Sequence, residues 1–274
     1  MESQEYQIFC QKIKALTGID LNAYKSSQME RRLRTLMSRS DAGGFLAYAR
    51  LLERDPQRLQ EFKDFITINV TEFFRNPEKY HELKELVLPA LLRSSPSLRA
   101  WSAGCSMGAE PYSLAIILEE LTPGQRHHIL ATDVDANILS RAREGLYTER
   151  DLQNVDKSRR LKYFRKVNGG FQIVPEIRER VRFQQHDLLR DPFGNNYDLI
   201  LCRNVVIYFT EKAKDELYLK FHRALKPGGV LFVGGTECII KARELGFEPF
   251  SPFFYRKTVP SQNRKEVTHE SGVH

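Results

Sequence analysis

The sequence predicts an α/β fold, a mostly parallel sheet with helices on both faces, preceded by an all-helical N-terminal region and carrying a small antiparallel insert. Three observations lead there. From about Leu98 onward, short apolar runs alternate with helical stretches, the texture of a parallel sheet. Before that point, residues 1–92 show apolar spacing of helical period only. Between the two textures lies WSAGCSMGAEPYSLAIIL (residues 101–118), which reads as a buried strand end, a turn bearing Gly104 and Gly108, and an apolar helix. Open α/β sheets hold nucleosides at such a turn, with an acid at the tip of the next strand.

Taken in order, the helical region has apolar residues at helical spacing in residues 6–16, at Met29, Leu33, Leu36 and Met37, in residues 45–52 and in residues 59–68. Gly18, Gly43-Gly44 and Asp55-Pro56 mark the breaks. The predicted strands are residues 98–103, 129–132, 197–202 and 230–234. Helices are predicted over residues 111–121, 136–144 and 211–225. Residues 247–250 and 253–257, around Ser251-Pro252, read as a closing hairpin. After Thr258 the chain turns polar, and residues 259–274 are expected to be a disordered tail. One segment breaks the alternation. Between residues 163 and 185, Gly169-Gly170 separates two extended runs (residues 171–174 and 181–185), read as the antiparallel insert at the sheet edge. The domains expected are thus residues 1–92, helical with a linker, and 93–258, the α/β domain.

At 274 residues and 41% hydrophobic content, the chain has material for a sizeable core. It contains no stretch of eighteen apolar residues, so no membrane span or insertion is expected. The start, MESQEYQIFCQKIKAL, lacks the basic-then-apolar pattern of a secretory signal. Cys10, Cys105, Cys202 and Cys238 are widely spaced, which suggests reduced thiols in a cytoplasmic protein and no metal site. A net charge of +7 implies an acidic partner, with nucleic acid, anionic lipid and acidic protein all open.

The turn at Gly104 and Gly108 suits either a dinucleotide or S-adenosylmethionine. Glu110, in the first helical turn, would repel a pyrophosphate and attract a cation, which favours the ammonium and sulfonium of S-adenosylmethionine. Glu110 as a simple complement to the helix N-terminus stays open. Asp133 ends the second strand and is the candidate ribose ligand, with Asp135 as a helix cap the alternative. HDLL (residues 186–189) ends a further extended run, where Asp187 and Leu188 would meet an adenine; His186 reads as a loop histidine. DLILCRNVVIYF (residues 198–209) turns polar at Arg203-Asn204, with Tyr208 within reach, and the tips of such strands are where ligands bind. ITINVTEFFR (residues 66–75) places Asn69, Thr71 and Arg75 in an otherwise apolar junction, where local capping is the competing reading.

INVTEFFR, WSAGCSMGAEPYSLA, ILATDVD, CRNVVIYF and LKPGGVLFVGGTE, in that order, strongly resemble the CheR-type chemotaxis receptor methyltransferases from about Tyr6 to Lys257. The resemblance implies a class I, Rossmann-like methyltransferase domain behind a helical N-terminal domain, with a small β-subdomain inserted. It implies transfer of methyl from S-adenosylmethionine to glutamate side chains on the cytoplasmic helices of bacterial chemoreceptors, leaving S-adenosylhomocysteine. On matching positions, Asn69, Thr71, Arg75, Gly104, Glu110, Asp133, Asp187, Leu188, Arg203 and Asn204 would surround the cofactor. Arg75 and Tyr208 would lie closest to the reacting groups.

The chemistry agrees with that implication. A glutamate carboxylate is ionised at neutral pH and needs no general base to attack a sulfonium methyl. In-line positioning and exclusion of water should supply the rate. In KSSQMERRLRTLMSR (residues 25–39), Arg31, Arg32, Arg34 and Arg39 lie off the apolar stripe. The resemblance makes this basic face the expected dock for acidic receptor helices. The insert, whose tip is NGGF (residues 168–171), looks too short to hold a receptor C-terminal peptide. A monomer is expected. A nucleic-acid methyltransferase with the same cofactor pocket is the alternative, disfavoured because CRNV lacks a Pro-Pro-aromatic cluster and the basic run has little aromatic interleaving. A non-catalytic sensor module is disfavoured by Arg75, Glu110, Asp133 and Tyr208 together. Glu110 and the missing third glycine disfavour a nicotinamide oxidoreductase.

Overall fold

The computed structural model describes residues 4–40, 42–67 and 71–258. It opens with four helices, α1 (Gln4–Thr17), α2 (Ser26–Met37), α3 (Phe45–Arg54) and α4 (Pro56–Thr67). Their apolar stripes meet in one core containing Phe9, Ile13, Leu33, Tyr48, Leu52 and Phe62. The breaks are those that chain chemistry requires. Gly18 takes a left-handed φ of +80° to end α1, and the Asp55 carboxylate accepts the Gln57 and Arg58 amides to start α4.

Helices α5 (Pro77–Glu82) and α6 (Leu88–Ser94), joined by a π-helical turn (Leu83–Val87), lead into the sheet. There follow β1 (Arg99–Ala103), α7 (Ala109–Leu121), β2 (His128–Asp133) and α8 (Ala136–Glu144). After them come β3 (Leu146–Tyr147), α9 (Lys157–Tyr163), β4 (Phe164–Val167), β5 (Gly170–Ile173) and α10 (Pro175–Arg178). The chain closes with β6 (Val181–Gln185), β7 (Tyr197–Cys202), α11 (Glu211–Ala224), β8 (Leu225–Val233), β9 (Phe247–Ser251) and β10 (Phe254–Lys257). The seven-stranded sheet has the order β6-β2-β1-β7-β8-β10-β9. All pairings from β6 to β8 are parallel, and β10 runs antiparallel to β8 and β9.

Alternation along the strands sends successive side chains to opposite faces. On β7, Leu199 and Leu201 join a core with Tyr112, Leu114 and Leu139 of α7 and α8. Ile200 joins the other core, with Trp101 and with Leu217 and Phe221 of α11. Helix α7 is buried continuously from Ala109 to Leu118, which explains why its sequence is apolar all round. Strand order reverses between β1 and β7, so the crevice beyond their carboxyl ends is the place for a ligand.

One expectation needs correction. The extended run Val181–Gln185 is not an arm of the antiparallel insert: as β6 it pairs in parallel with β2, from Ile129↔Val181 to Asp133↔Gln185. The insert is instead a three-stranded sheet of order β3-β5-β4, whose third strand is the two-residue β3. Period-two alternation marks a strand without naming its partner, and α10 turns the chain out of the small sheet before β6 begins. Residues 259–274 lie outside the described residues.

Candidate active site

The tips of four parallel strands converge on one pocket. Gly104 and Ser106 follow β1, Asp133 ends β2, Asp187 and Leu188 follow β6, and Arg203 and Asn204 follow β7. Thr71, Arg75 and Glu110 complete the wall, and Tyr208 lies on it as well. Every described residue expected at the cofactor or the reacting groups therefore lines a single cavity. Asn69 lies outside the described residues.

The glycine turn is built around Asp133. The Thr132 carbonyl accepts the Gly104 and Cys105 amides, at 2.8 and 2.9 Å. The Ser106 amide donates to Asp133 Oδ2 at 2.8 Å, and the Asp135 amide to Oδ1 at 3.1 Å. Gly104 has φ +81°, and a Cβ there would stand 2.5 Å from Val205 Cγ2, so the turn after β1 and the loop after β7 meet only over glycine. Ser106 holds a left-handed φ of 49° without being glycine, strain of the kind found at functional sites. Gly108 does not line the cavity; it starts α7 at φ +85° against Phe183 and Ala142. Asp135 accepts the Asn137 and Ile138 amides as the cap of α8, which leaves Asp133 as the acid of the pair that faces the cavity.

Both pocket carboxylates sit where burial opposes their charge. Burial raises the Asp133 pKa to about 6 against the pull of the Ser106 and Asp135 amides. Glu110 is raised by burial too, opposed by the Arg203 charge and by a 2.7 Å hydrogen bond from Ser102 Oγ. The Arg203 guanidinium stands 3.6 Å from Glu110 Oε2 and lies over the rings of Tyr80 and Phe232. Its Nη2 donates to the Arg75 carbonyl at 2.8 Å and to Asn76 Oδ1 at 3.0 Å. Phe74 and Asn76, on either side of Arg75, hold left-handed φ values of 50° and 62°. The Phe74 amide is pinned on Ser113 Oγ at 3.0 Å. Arg203 thus ties Glu110 to the strained segment that presents Arg75.

The N-terminal helices supply a wall that sequence reasoning did not find. Ile19, Asp20 and Tyr24, between α1 and α2, and Ile66 of α4 line the same cavity. This wall is bolted to the Tyr208 loop. Lys25 N–H donates to the Tyr208 carbonyl at 2.9 Å, and Thr210 N–H to the Ala23 carbonyl at 2.8 Å. The Tyr24 ring meets Phe209 edge-on at 5.1 Å. Burial raises the Tyr24 phenol, and the nearby Asp187 and Asp133 charges raise it further, so it stays protonated and a donor. The available sequence signal was slight, an apolar-aromatic LNAY just before a basic amphipathic helix.

Of the basic residues expected off the apolar stripe, Arg31 and Arg34 of α2 are exposed, and so is Arg39, which lies in the turn just past the helix end. Arg32 departs from them. Its guanidinium turns inward, donating to the Phe65 carbonyl and lying 4.7 Å from the Phe65 ring centre, so it packs α2 on α4. Helical spacing alone had put it on the polar side; a long side chain reaches past its own face.

The donor set fits S-adenosylmethionine. Two desolvated carboxylates await a cation and hydroxyl donors, and the buried Ser106 Oγ and Asn204 Oδ1 have no partner within the protein. A pyrophosphate would face Glu110 and Asp133 at once. Among the described residues, no group of three or more His, Cys, Asp or Glu is placed to hold a metal.

Comparison with known proteins agrees. Residues 69–250 match the family model described as CheR methyltransferase, SAM binding domain, and residues 4–67 match the CheR methyltransferase, all-alpha domain. A chemotaxis protein methyltransferase of Listeria innocua is 41% identical over 256 residues, covering 93% of this chain and 98% of that protein. One from Listeria monocytogenes is equally similar, with the same coverage. One from Borreliella burgdorferi is 36% identical, covering 88% and 89%. With both halves matched and the cofactor chemistry in place, the chain belongs to the CheR family of S-adenosylmethionine-dependent chemotaxis methyltransferases.

Proposed function

We propose that this pocket esterifies glutamate side chains of chemoreceptors, with the acceptor carboxylate oriented by Arg75 and Tyr208. The chain is a chemotaxis methyltransferase that methylates chemoreceptors with S-adenosylmethionine. When bound, that molecule supplies an electrophilic methyl on sulfonium: the carboxylate oxygen gains the O–CH₃ bond as the S–CH₃ bond breaks.

The remaining work falls to the chain's own residues. Glu110 takes the amino-acid ammonium, with Arg203 behind it keeping the carboxylate charged. Asp133 accepts the ribose hydroxyls, and Asp187 and Leu188 receive the adenine. Gly104 lets the backbone close on the cofactor; Thr71 and Asn204, with Asn69, complete its contacts. Arg75 brings a cation to the acceptor carboxylate in a fork that fixes its plane, and Tyr208 donates one hydrogen bond. Orientation, not full neutralisation, is their task, because a carboxylate gripped too tightly is a poorer nucleophile. No general base is required, since the acceptor is already ionised. The observation that carries this reading is the convergence of Arg75, Glu110, Asp133 and Tyr208 on one cavity.

The exposed Arg31 and Arg34 of α2, with Arg39 in the turn just after it, would dock the acidic receptor helices, with Arg32 left to hold α2 on α4. The enzyme would act in the cytoplasm as a monomer. Four free cysteines fit a reducing compartment. Among the described residues, no helix is long and apolar enough to cross a membrane. The test is incubation with a chemoreceptor cytoplasmic fragment and methyl-labelled cofactor. Label released by mild base and mapped to glutamates is the expected result; base-stable label, or label on RNA in place of protein, overturns the proposal.

A further inference from the structure

Glu237 is a buried carboxylate outside the cavity wall, only 4% exposed, in the GGTE turn that follows β8. Its two oxygens are filled by backbone donors. Oε2 accepts the Asn204 and Gly234 amides, each at 2.7 Å, and Oε1 accepts the Ile207 amide at 3.2 Å. Two of these amides belong to the loop that carries Asn204 and Tyr208 into the cavity. The loop holds one short 3-10 turn, Val206–Tyr208, tied at its far end to Ala23 and Lys25, while at its near end Asn204 sits at a left-handed φ of 59°. Gly234 is there because a Cβ would stand 2.5 Å from Glu237 Oε2 and 2.8 Å from the Asn204 amide nitrogen. Holding a carboxylate here has a cost, since burial raises its pKa against all those amides. An apolar side chain would escape that cost but leave the three amides without an acceptor, so the charge is kept for what it grips.

We propose that Glu237 is a positioning residue for methyl transfer, fixing the Asn204–Tyr208 loop so that Asn204 meets the cofactor and Tyr208 meets the acceptor. The inference rests on the role given above to Tyr208. Glu237 touches neither ligand; it sets the place of groups that do. Glutamine keeps its volume, but the amide nitrogen then faces an N–H donor in place of an acceptor.

The test is a double-mutant cycle on turnover, using the full chain at saturating cofactor and receptor fragment. Rates are counted per equivalent of S-adenosylhomocysteine bound, so that unfolded protein does not enter. Glu237→Gln is expected to lower turnover by about tenfold or more, the scale of a misplaced reacting group. In a Tyr208→Phe background, the same change should cost less than about threefold, because the group it misplaces is gone. A purely structural role lowers the melting temperature and leaves turnover per binding site intact. That outcome overturns the proposal, as does full additivity of the two changes. If Tyr208→Phe alone leaves turnover unchanged, the role of Tyr208 fails first, and a tenfold loss in Glu237→Gln must then appear in cofactor affinity through Asn204 or the proposal fails too.

Discussion

Cofactor affinity should depend on pH through Asp133. The free enzyme holds this carboxyl at about 6 because burial disfavours its charge. Ribose hydroxyls donating to it favour the charged form and pull the pKa down again. Below pH 6 the ligand must therefore displace a proton as it binds. For one group at pKa 6, driven well below 5 in the complex, affinity falls about tenfold from pH 7 to pH 5, or about 1.4 kcal/mol. The sign for stability runs the other way. A folded pKa raised above the ordinary value of 3.8 means that stability falls as pH rises from about 4 to about 6, by roughly 3 kcal/mol in all. Bound S-adenosylhomocysteine recovers part of that loss, so it should raise Tm more at pH 7 than at pH 5. Calorimetry in two buffers of different ionisation heat would count the protons released. Asp133→Asn should flatten the step centred near pH 6 and weaken binding at pH 7 by about 10- to 100-fold, the worth of charge-assisted hydrogen bonds. A slope that persists unchanged in Asp133→Asn would refute the reasoning, and so would a flat wild-type profile.

Arg203→Met should fit the aromatic slot between Tyr80 and Phe232 yet leave Glu110 a buried acid without its cation. Urea unfolding should show a loss of about 3–5 kcal/mol at neutral pH. The loss should shrink toward pH 4, because removing Arg203 raises Glu110 further and its penalty exists only where it must be charged. Arg75→Ala is expected to lower turnover by about 100-fold or more while changing S-adenosylhomocysteine affinity by less than about fivefold, as suits a group aimed at the acceptor; unchanged turnover would remove Arg75 from the mechanism. Arg31→Glu with Arg34→Glu should raise the receptor KM at low salt by about tenfold or more and spare cofactor binding. Arg32→Glu should instead cost stability, read as a lower urea midpoint, because its guanidinium packs on Phe65.

The sequence displays most clearly what the sheet dictates. Apolar runs such as LILC end in a polar residue at each carboxyl tip, so Asp133, Asp187 and Arg203-Asn204 stand out against their strands. Glu110 shows as a charge at the head of an otherwise apolar helix. The helical region, the main strands except β6 and the closing hairpin follow from periodicity and turn residues alone. What escapes are features set by packing across long separations. Tyr24 becomes a wall of the cavity only because Ala23 and Lys25 pair with Tyr208 and Thr210, nearly two hundred positions away. Glu237 occupies the same kind of strand tip as Asp133, and that parallel was the available signal. Its carboxylate, however, turns toward backbone amides, which no side-chain pattern records. Arg32 and β6 fail for a related reason, since spacing assigns a residue to a face and a strand to a sheet without naming the partner.

The charge balance of the pocket supports the role proposed for Arg75 at the acceptor. The chain as a whole is basic, at +7. Its cavity is the reverse: Asp20, Glu72, Glu110, Asp133 and Asp187 line it, against the guanidiniums of Arg75 and Arg203. An acidic cavity draws in a cationic cofactor and repels the very carboxylate that must be methylated. Arg203 is held 97% buried between Glu110, the Arg75 carbonyl and two aromatic rings, facing the cofactor side of the wall. On the proposed reading, Arg75 is the wall residue that would bring an acceptor carboxylate to the methyl against that field. Its backbone is fixed by the two strained residues beside it, which suits a group whose task is geometry. In the proposed docking, the basic face of α2 would solve the same problem at longer range, attracting acidic helices to a site whose interior would otherwise turn them away.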